Sequence, residues 1–369
     1  MTAGAPVPIR ELRAAAYEIP TDAPESDGTL EWDSTVLVIA EASAGDQTGL
    51  GYTYAHQSAV PLITGKLAGI VEGRDALDVR GSWREMVHQV RNLGATGLVS
   101  MAISAVDIAL WDLKARLLDL PLVVALDAVH DVVPVYGSGG FTSYDDHQLT
   151  EQLAGWVAAG IPRVKIKNGR EPDRDHHRLE VARKAIGDDT QLYVDANGAF
   201  HERQAVDWAR TYRYDFDVRW FEEPVSSDNL RGLRLVREQA PGGIDIAAGE
   251  YAWNPWYCQE MLAAGAVDCL QVDATRCLGL TGFLAAAGLC DAHQIDLSVH
   301  CAPQISAHAG VTARRLRHLE YFHDHVRIES MLFDGVLAPE PGGVLRPDRS
   351  RPGHGLALKP AAADRFRVA

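Results

Sequence analysis

RVKIK (163–167), LYVDAN (192–197), RWFEEP (219–224), IAAGE (246–250), LQVDA (270–274) and LSVH (297–300) follow one another at nearly constant intervals. Each is a short β-rich run that carries a charged or titratable side chain at its carboxyl end. VVPVYG (132–137) precedes the series and HLEYF (318–322) closes it, which makes eight candidate strands. The gaps hold helical patterns such as DHHRLEVARKAIG and RQAVDWARTYR. Near-continuous apolar strands alternating with amphipathic helices imply a parallel sheet, and eight repeats fit a closed barrel better than an open one. The eighth run is followed by no clear helical pattern, so the expected architecture is an α/β TIM-like (β/α)7β barrel over residues 126–335.

Residues 1–125 follow a different grammar. RELRAAAYEI, STVLVIAEA and LGYTYAH alternate like strands of a small antiparallel sheet. Between the first two, PTDAPESDGTLEWD (Pro20–Asp33) has no periodicity and reads as a mobile loop, a candidate lid. Helical patterns follow at Ala59–Glu72 and Gly97–Leu117. The second is apolar all round, so it must be buried, as between two domains. Strands followed by helices give an α+β capping domain. Residues 336–369 are rich in Pro and Gly, and the tail is expected to return and pack on the capping domain.

Composition narrows the functional classes. The 369 residues are 47% apolar and 23% charged, with no apolar run near the roughly 20 residues of a membrane helix. The net charge of −15 argues against nucleic acid or anionic lipid as a partner. Five cysteines without a C-x-x-C pair read as reduced, buried thiols. The amino terminus shows no basic segment leading into an apolar core, so a cytoplasmic location is expected.

The chemistry lies at the strand ends. Lys165 and Lys167, Asp195, Glu222, Glu250, Asp273, His300 and Glu320 recur every 20 to 28 residues from Lys167 onward, about one βα unit apart. Such groups converge on the upper mouth of a barrel, and a buried ring of charge persists only if it binds something. Asp195, Glu222 and Glu250 are hard oxygen donors on three consecutive strands and suit Mg²⁺, with Mn²⁺ as the alternative. Lys165 and Lys167 share one side of a strand, and their mutual repulsion would favour a neutral base. Asp273 on the strand before His300 could hold one imidazole nitrogen and leave the other to the cavity. Bases on opposite walls with a metal between them suggest removal of the proton next to a carboxylate, with Glu320 hydrogen-bonding the developing charge.

The KxK of VKIKNG, the LYVDAN, FEEP and AAGE segments, LQVDATRCLGLTG followed by SVH, and the helix AISAVDIALWDLKAR together resemble the mandelate racemase subgroup of the enolase superfamily. The resemblance implies Asp195, Glu222 and Glu250 as Mg²⁺ ligands, with Glu223 behind them. It implies Lys167 as one acid/base with Lys165 depressing its pKa, His300 with Asp273 as the other, and Glu320 as hydrogen-bonding acid. Asn197 and Ser138 would contact the substrate. Two mobile cap loops would set specificity, one containing Trp32 and the other Tyr52, Tyr54 and His56. Dimers or octamers are the family habit.

The subgroup's enzymes racemise or epimerise, dehydrate acid sugars, or cycloisomerise lactones. The acidic, polar lid segment favours a polyhydroxylated carboxylate, hence dehydration to a 2-keto-3-deoxy acid. Epimerase, cycloisomerase and noncatalytic scaffold are the rivals. A phosphate-binding barrel is disfavoured, because CAPQISAHAG and HDHVRIES lack the expected glycine-rich loop.

Overall fold

The computed structural model of the protein describes residues 6–369; the first five residues of the leader reading lie outside the described residues. Eight parallel strands form the barrel: β4 (Val133–Gly139), β5 (Arg163–Lys167), β6 (Gln191–Asp195), β7 (Val218–Glu222), β8 (Asp245–Ala248), β9 (Cys269–Val272), β10 (Asp296–Val299) and β11 (Leu316–Phe322). They pair in sequence, and β11 closes on β4 through Leu319–Val135 to Phe322–Ser138. Short polar caps start the intervening helices. Asp145 and Gln148 form a reciprocal capping box, and Asn254 accepts from the Tyr257 amide just ahead of Pro255.

The barrel closes with one difference from expectation. A helix, His323–Leu332, does follow the eighth strand. Its buried side includes Asp324, His325 and Glu329 as well as Ile328 and Leu332, so no apolar stripe announces it. Beyond it the tail crosses back. Val344–Leu345 pairs antiparallel with β4, the Leu122 amide donates to the Gly353 carbonyl, and the Ala16 amide donates to the carbonyl of Ala369.

The amino-terminal sheet has the order β1 (Ile9–Ser26), β2 (Glu31–Ala44), β3 (Gln47–Tyr54), all antiparallel. Here the reading of Pro20–Asp33 as a loop is corrected. β1 runs on to Ser26 and β2 begins at Glu31, leaving only a short turn around residues 27–30. The register shifts between Pro20 and Glu25, which erases the period-2 pattern. Tyr52 and Tyr54 likewise belong to β3 and not to a loop; only His56 lies beyond it. A helix at Val79–Gln89 also went unread. Among the described residues no helix is long and apolar enough to cross a membrane. All five cysteines are buried and free.

The Leu98–Leu117 helix sits between the sheet and the barrel. It approaches β3 at backbone distance. A Cβ on Gly49 would lie 2.2 Å from the Ala109 carbonyl oxygen, and one on Gly51 equally close to that of Ala105. On its other side Asp107 accepts from the Thr281 amide and hydroxyl at 2.8 and 2.7 Å, and Trp111 Nε1 donates to Thr281 Oγ1. A second tie is Glu329, fully buried, which accepts from the hydroxyl of Tyr52 at 2.6 Å and from the Gln304 amide at 3.3 Å. Burial pushes the Glu329 carboxyl up to about 8 against these bonds.

Two predictions follow from this junction. Gly51→Ala forces β3 off the helix and should cost about 1–3 kcal/mol in denaturant unfolding. A carboxyl whose folded-state pKa lies above its unfolded value supports the fold fully below the unfolded value and loses that support as pH rises through about 8. Glu329→Gln keeps an acceptor for Tyr52 and removes the charge. Its melting temperature should therefore rise above wild type near pH ~9 and show no such gain near pH ~5.

Candidate active site

Register brings the strand-end groups together. β5 pairs with β6 so that Lys167 lies opposite Asp195, and β6 pairs with β7 so that Asp195 lies opposite Glu222. Below them a layer of Tyr136, Tyr193, Trp220 and His318 fills the barrel. That layer also aims the site, since Trp220 Nε1 donates to Glu222 Oε2 at 2.9 Å and the Tyr136 ring lies 5.3 Å from Lys165 Nζ.

Each of the three carboxylates has a cationic companion. Lys167 Nζ reaches Asp195 Oδ2 at 2.5 Å and Lys165 Nζ reaches Glu222 Oε1 at 2.7 Å. His300 Nε2 lies 2.9 Å from Glu250 Oε2, while its Nδ1 is held by Asp273 Oδ2 at 2.7 Å. Glu320 accepts from Lys165 Nζ at 2.7 Å and from Ser138 Oγ at 2.6 Å. All these side chains are buried.

The expected repulsion between the neighbouring lysines is present, since Lys165 lowers Lys167, but in this arrangement the carboxylates around them outweigh it. Burial works to lower Lys167, as does Lys165, but Asp195, Glu250 and Glu320 together hold it above its ordinary value. Lys165 is likewise raised, by Glu222 and Glu320 against burial. Glu320 is burdened by burial yet held well below the carboxylate range by Lys165 and His300, so it accepts hydrogen bonds here and offers none. His300 is raised by Cys301, Glu320 and Glu250 despite burial. Burial together with Asp195 pushes Glu222 up to about 8.

The donor set fits a divalent cation. One oxygen from each of Asp195, Glu222 and Glu250 lies within 4.8 Å of the others. Six buried carboxylates (these three with Glu223, Asp273 and Glu320) face four cationic groups: Lys165, Lys167, Arg276 and His300 when protonated. With all six ionised, that is a deficit of two positive charges, and Glu222 and Glu223 are both pushed upward by burial and their acidic neighbours. Glu223 Oε1 and Asn197 Oδ1 are buried without a partner beside the same carboxylates. Hard oxygen donors without sulfur in the trio suit Mg²⁺ or Mn²⁺. Asn197 at φ 45°, Glu223 at φ 38° and Cys301 at φ 44° adopt left-handed backbone just past the strand ends, the kind of strain that clusters at functional sites.

Above the ring opens a cavity of about 470 Å³. Lys167, Asn197, Glu250, His300 and Glu320 line its lower part, while Lys165, Asp195 and Glu222 are not among its lining residues. Ser138, expected to touch substrate, also does not line it; its hydroxyl is spent on Glu320. The β1–β2 hairpin and the end of β3 supply the roof with Leu30, Trp32, Val36 and Tyr54. The hairpin tip is pressed onto the barrel at Gly28, where a Cβ would lie 2.2 Å from the Ala196 carbonyl oxygen. Its acidic residues mostly face its own supports, although Asp27 also lines the cavity. Asp27 Oδ1 closes the turn on the Thr29 and Leu30 amides, Glu25 accepts from Trp32, Glu31 pairs with Arg170, and Asp22 meets His323. The roof above the site therefore mixes the apolar Leu30, Trp32 and Val36 with the polar Asp27, Ser34, Thr35 and His56.

Several lining residues escaped the sequence reading. Arg276 pairs with Asp273 at 3.5 Å and Glu250 at 3.8 Å under Tyr251 and Trp253. Its place three residues after Asp273 was the available clue. Cys301 Sγ lies 3.3 Å from both His300 Nε2 and Glu320 Oε2, adjacent in sequence to a residue already singled out. His325, stacked on Tyr54 with ring centroids 3.4 Å apart, comes from the unread helix.

Comparison with known proteins agrees with this fold. Residues 17–126 match the mandelate racemase / muconate lactonizing enzyme N-terminal domain, and residues 148–362 match the enolase C-terminal domain-like model. The chain is 32% identical to a 3,6-anhydro-alpha-L-galactonate cycloisomerase of Streptomyces coelicolor, covering 95% of this chain and 97% of that one. It is 30% identical to an L-talarate/galactarate dehydratase of Salmonella typhimurium, covering 87% and 80%. Among solved structures, a mandelate racemase/muconate lactonizing enzyme-like protein from Rubrobacter xylanophilus superposes with a TM-score of 0.95 at 54% identity, covering 98% and 99% of the two chains. A racemase from Streptomyces coelicolor A3(2) with bound magnesium gives 0.91 at 29%, covering 98% and 100%. With both domains matched, the chain belongs to the mandelate racemase / muconate lactonizing enzyme family of the enolase superfamily.

Proposed function

We propose that the protein is a Mg²⁺-dependent enzyme that removes the proton α to a carboxylate and dehydrates a monocarboxylic sugar acid to a 2-keto-3-deoxy acid. The observation that carries the reading is the pair of proton-transfer groups, Lys167 and His300, which line one cavity with the carboxylate trio between their strands. Bound by Asp195, Glu222 and Glu250, Mg²⁺ would supply positive charge for the substrate carboxylate and draw those side chains away from Lys167, Lys165 and His300.

Lys167, once neutral, takes the α-proton at Nζ. His300, held at Nδ1 by Asp273, gives the Nε2 proton to the β-hydroxyl, which leaves as water. Ketonisation of the resulting enol returns a proton to the β-carbon. Lys165 and Ser138 fix Glu320 beside the reacting centre, where as a carboxylate it can accept a hydrogen bond from a substrate hydroxyl. Trp32, Tyr54 and Asn197 line the same cavity and would position the substrate. The substrate's far end would lie among Leu30, Ser34, Thr35, Val36 and Phe322, which line the same cavity. The cavity's guanidinium, Arg276, is already committed to Asp273 and Glu250, so among the described lining residues a second carboxylate would meet no unpaired fixed cation, only the His56 imidazole and the Ser34 and Thr35 hydroxyls. This supports a monoacid over a diacid.

Cycloisomerisation of an anhydro sugar acid is the second reading. It is favoured by the relative that matches almost end to end, and it shares the first proton transfer.

The test is incubation of the Mg²⁺-loaded protein in D₂O with hexonates, pentonates, anhydro sugar acids and hexarates, followed by NMR. The expected result is a 2-keto-3-deoxy acid from one monoacid, abolished by EDTA, with Lys167→Ala and His300→Asn each losing about 10²–10⁴-fold in kcat. Isomerisation of an anhydro acid without loss of water would establish the second reading. Turnover of hexarates in preference to monoacids would overturn the substrate assignment, and absence of both turnover and α-exchange across the panel would overturn the reaction.

A further inference from the structure

A second cluster of metal-ligating side chains lies where the capping hairpin meets the barrel. Asp22 and Glu25 come from β1, and His323 follows β11 directly. One ligand atom from each lies within 4.8 Å of the others. His323 Nε2 now donates to Asp22 Oδ2 at 2.9 Å.

The cluster is short of positive charge. Glu25 is fully buried; its Oε2 accepts from Trp32 Nε1 at 2.8 Å, and its Oε1 has no partner. Asp324, next in sequence to His323, is also fully buried. Its Oδ1 accepts from Arg327, and its Oδ2 is likewise unpartnered. Arg327, the guanidinium at hand, divides itself between that oxygen and the Pro20 carbonyl at 2.7 Å. Three carboxylates thus share one fixed cation, and two of their oxygens are sealed from water without a donor. Native interiors do not leave such oxygens bare without an occupant or a purpose.

We infer that Asp22, Glu25 and His323 form a second divalent-cation site, specific for a zinc-class ion, that clips the capping hairpin to the end of the eighth barrel strand. One imidazole with carboxylates favours Zn²⁺, Co²⁺ or Mn²⁺ over Mg²⁺, in contrast to the all-oxygen trio at the strand ends. The ligands straddle the two parts that make the cavity. Glu25 holds Trp32 of the roof, and His323 follows Phe322 of the wall. An ion here would fix the roof without touching the reacting groups, and the inference stands whatever the reaction is.

The experiment is calorimetric titration of Zn²⁺ into the full chain in millimolar Mg²⁺, which keeps the strand-end trio filled, with Co²⁺ as the spectroscopic probe. Wild type should bind one Zn²⁺ per chain under these conditions. His323→Ala and Asp22→Asn should each weaken it by about tenfold or more, and Cys301→Ala should leave it unchanged. In hydrogen exchange, Zn²⁺ should slow the amides of residues 22–32 in wild type and not in His323→Ala. Absence of Zn²⁺ binding in the presence of Mg²⁺ would overturn the inference and leave a shared proton as the occupant. So would binding indifferent to His323→Ala, or binding lost with Cys301→Ala alongside a sulfur-to-cobalt charge-transfer band, which would place the ion at His300, Cys301 and Glu320.

Discussion

Burial of charge at the barrel's strand ends is the constraint on which the rest of the molecule depends. Asp195, Glu222 and Glu250 lie out of water, and each leans on a cationic neighbour: Lys167, Lys165 and His300 respectively. Carboxylates in a low-dielectric interior are tolerated only when paired. The pairing is incomplete, since carboxylates outnumber cations by two even with His300 protonated. In this state the groups suited to move protons are occupied in neutralising the groups suited to hold metal. A divalent cation at the trio would close the deficit and release Lys167 and His300 from their carboxylate partners, so metal binding and the availability of the bases are one electrostatic question.

The capping domain answers a different need. The barrel supplies the charged floor, and the capping domain supplies the roof over it. The β1–β2 hairpin reaches across to seat Gly28 against the backbone of the barrel mouth, and the Leu98–Leu117 helix anchors its sheet through Gly49, Gly51 and Asp107. Ties such as Tyr52 to Glu329 make the cap and the last barrel helix one mechanical unit. The roof therefore owes its position to contacts far from the substrate.

Much of this was legible in the sequence, for a physical reason. In a parallel barrel every strand points its carboxyl end at the same mouth, so the phase of Lys167, Asp195, Glu222, Glu250, Asp273, His300 and Glu320 along the chain already encodes their convergence. What escaped was structure stabilised by docking instead of by its own pattern. The hairpin around Pro24 and Gly28 is ordered by Thr142, Ser143 and Arg170 of the barrel, none of which its own stretch reveals. The helix from His323 buries Asp324, His325 and Glu329, which removes the apolar period a reader looks for. The repulsion within the lysine pair was legible, but the chain shows Lys165 beside Lys167, whereas the fold also sets each against a carboxylate from the next strands.

The central claim is that the strand-end trio is a site for one Mg²⁺. Titrating Mg²⁺ into the purified, metal-stripped chain by calorimetry tests it directly. The account predicts one Mg²⁺ per chain, with binding lost when Glu222→Gln removes one ligand charge. Absence of Mg²⁺ binding in wild type, or binding unchanged in Glu222→Gln, would contradict it.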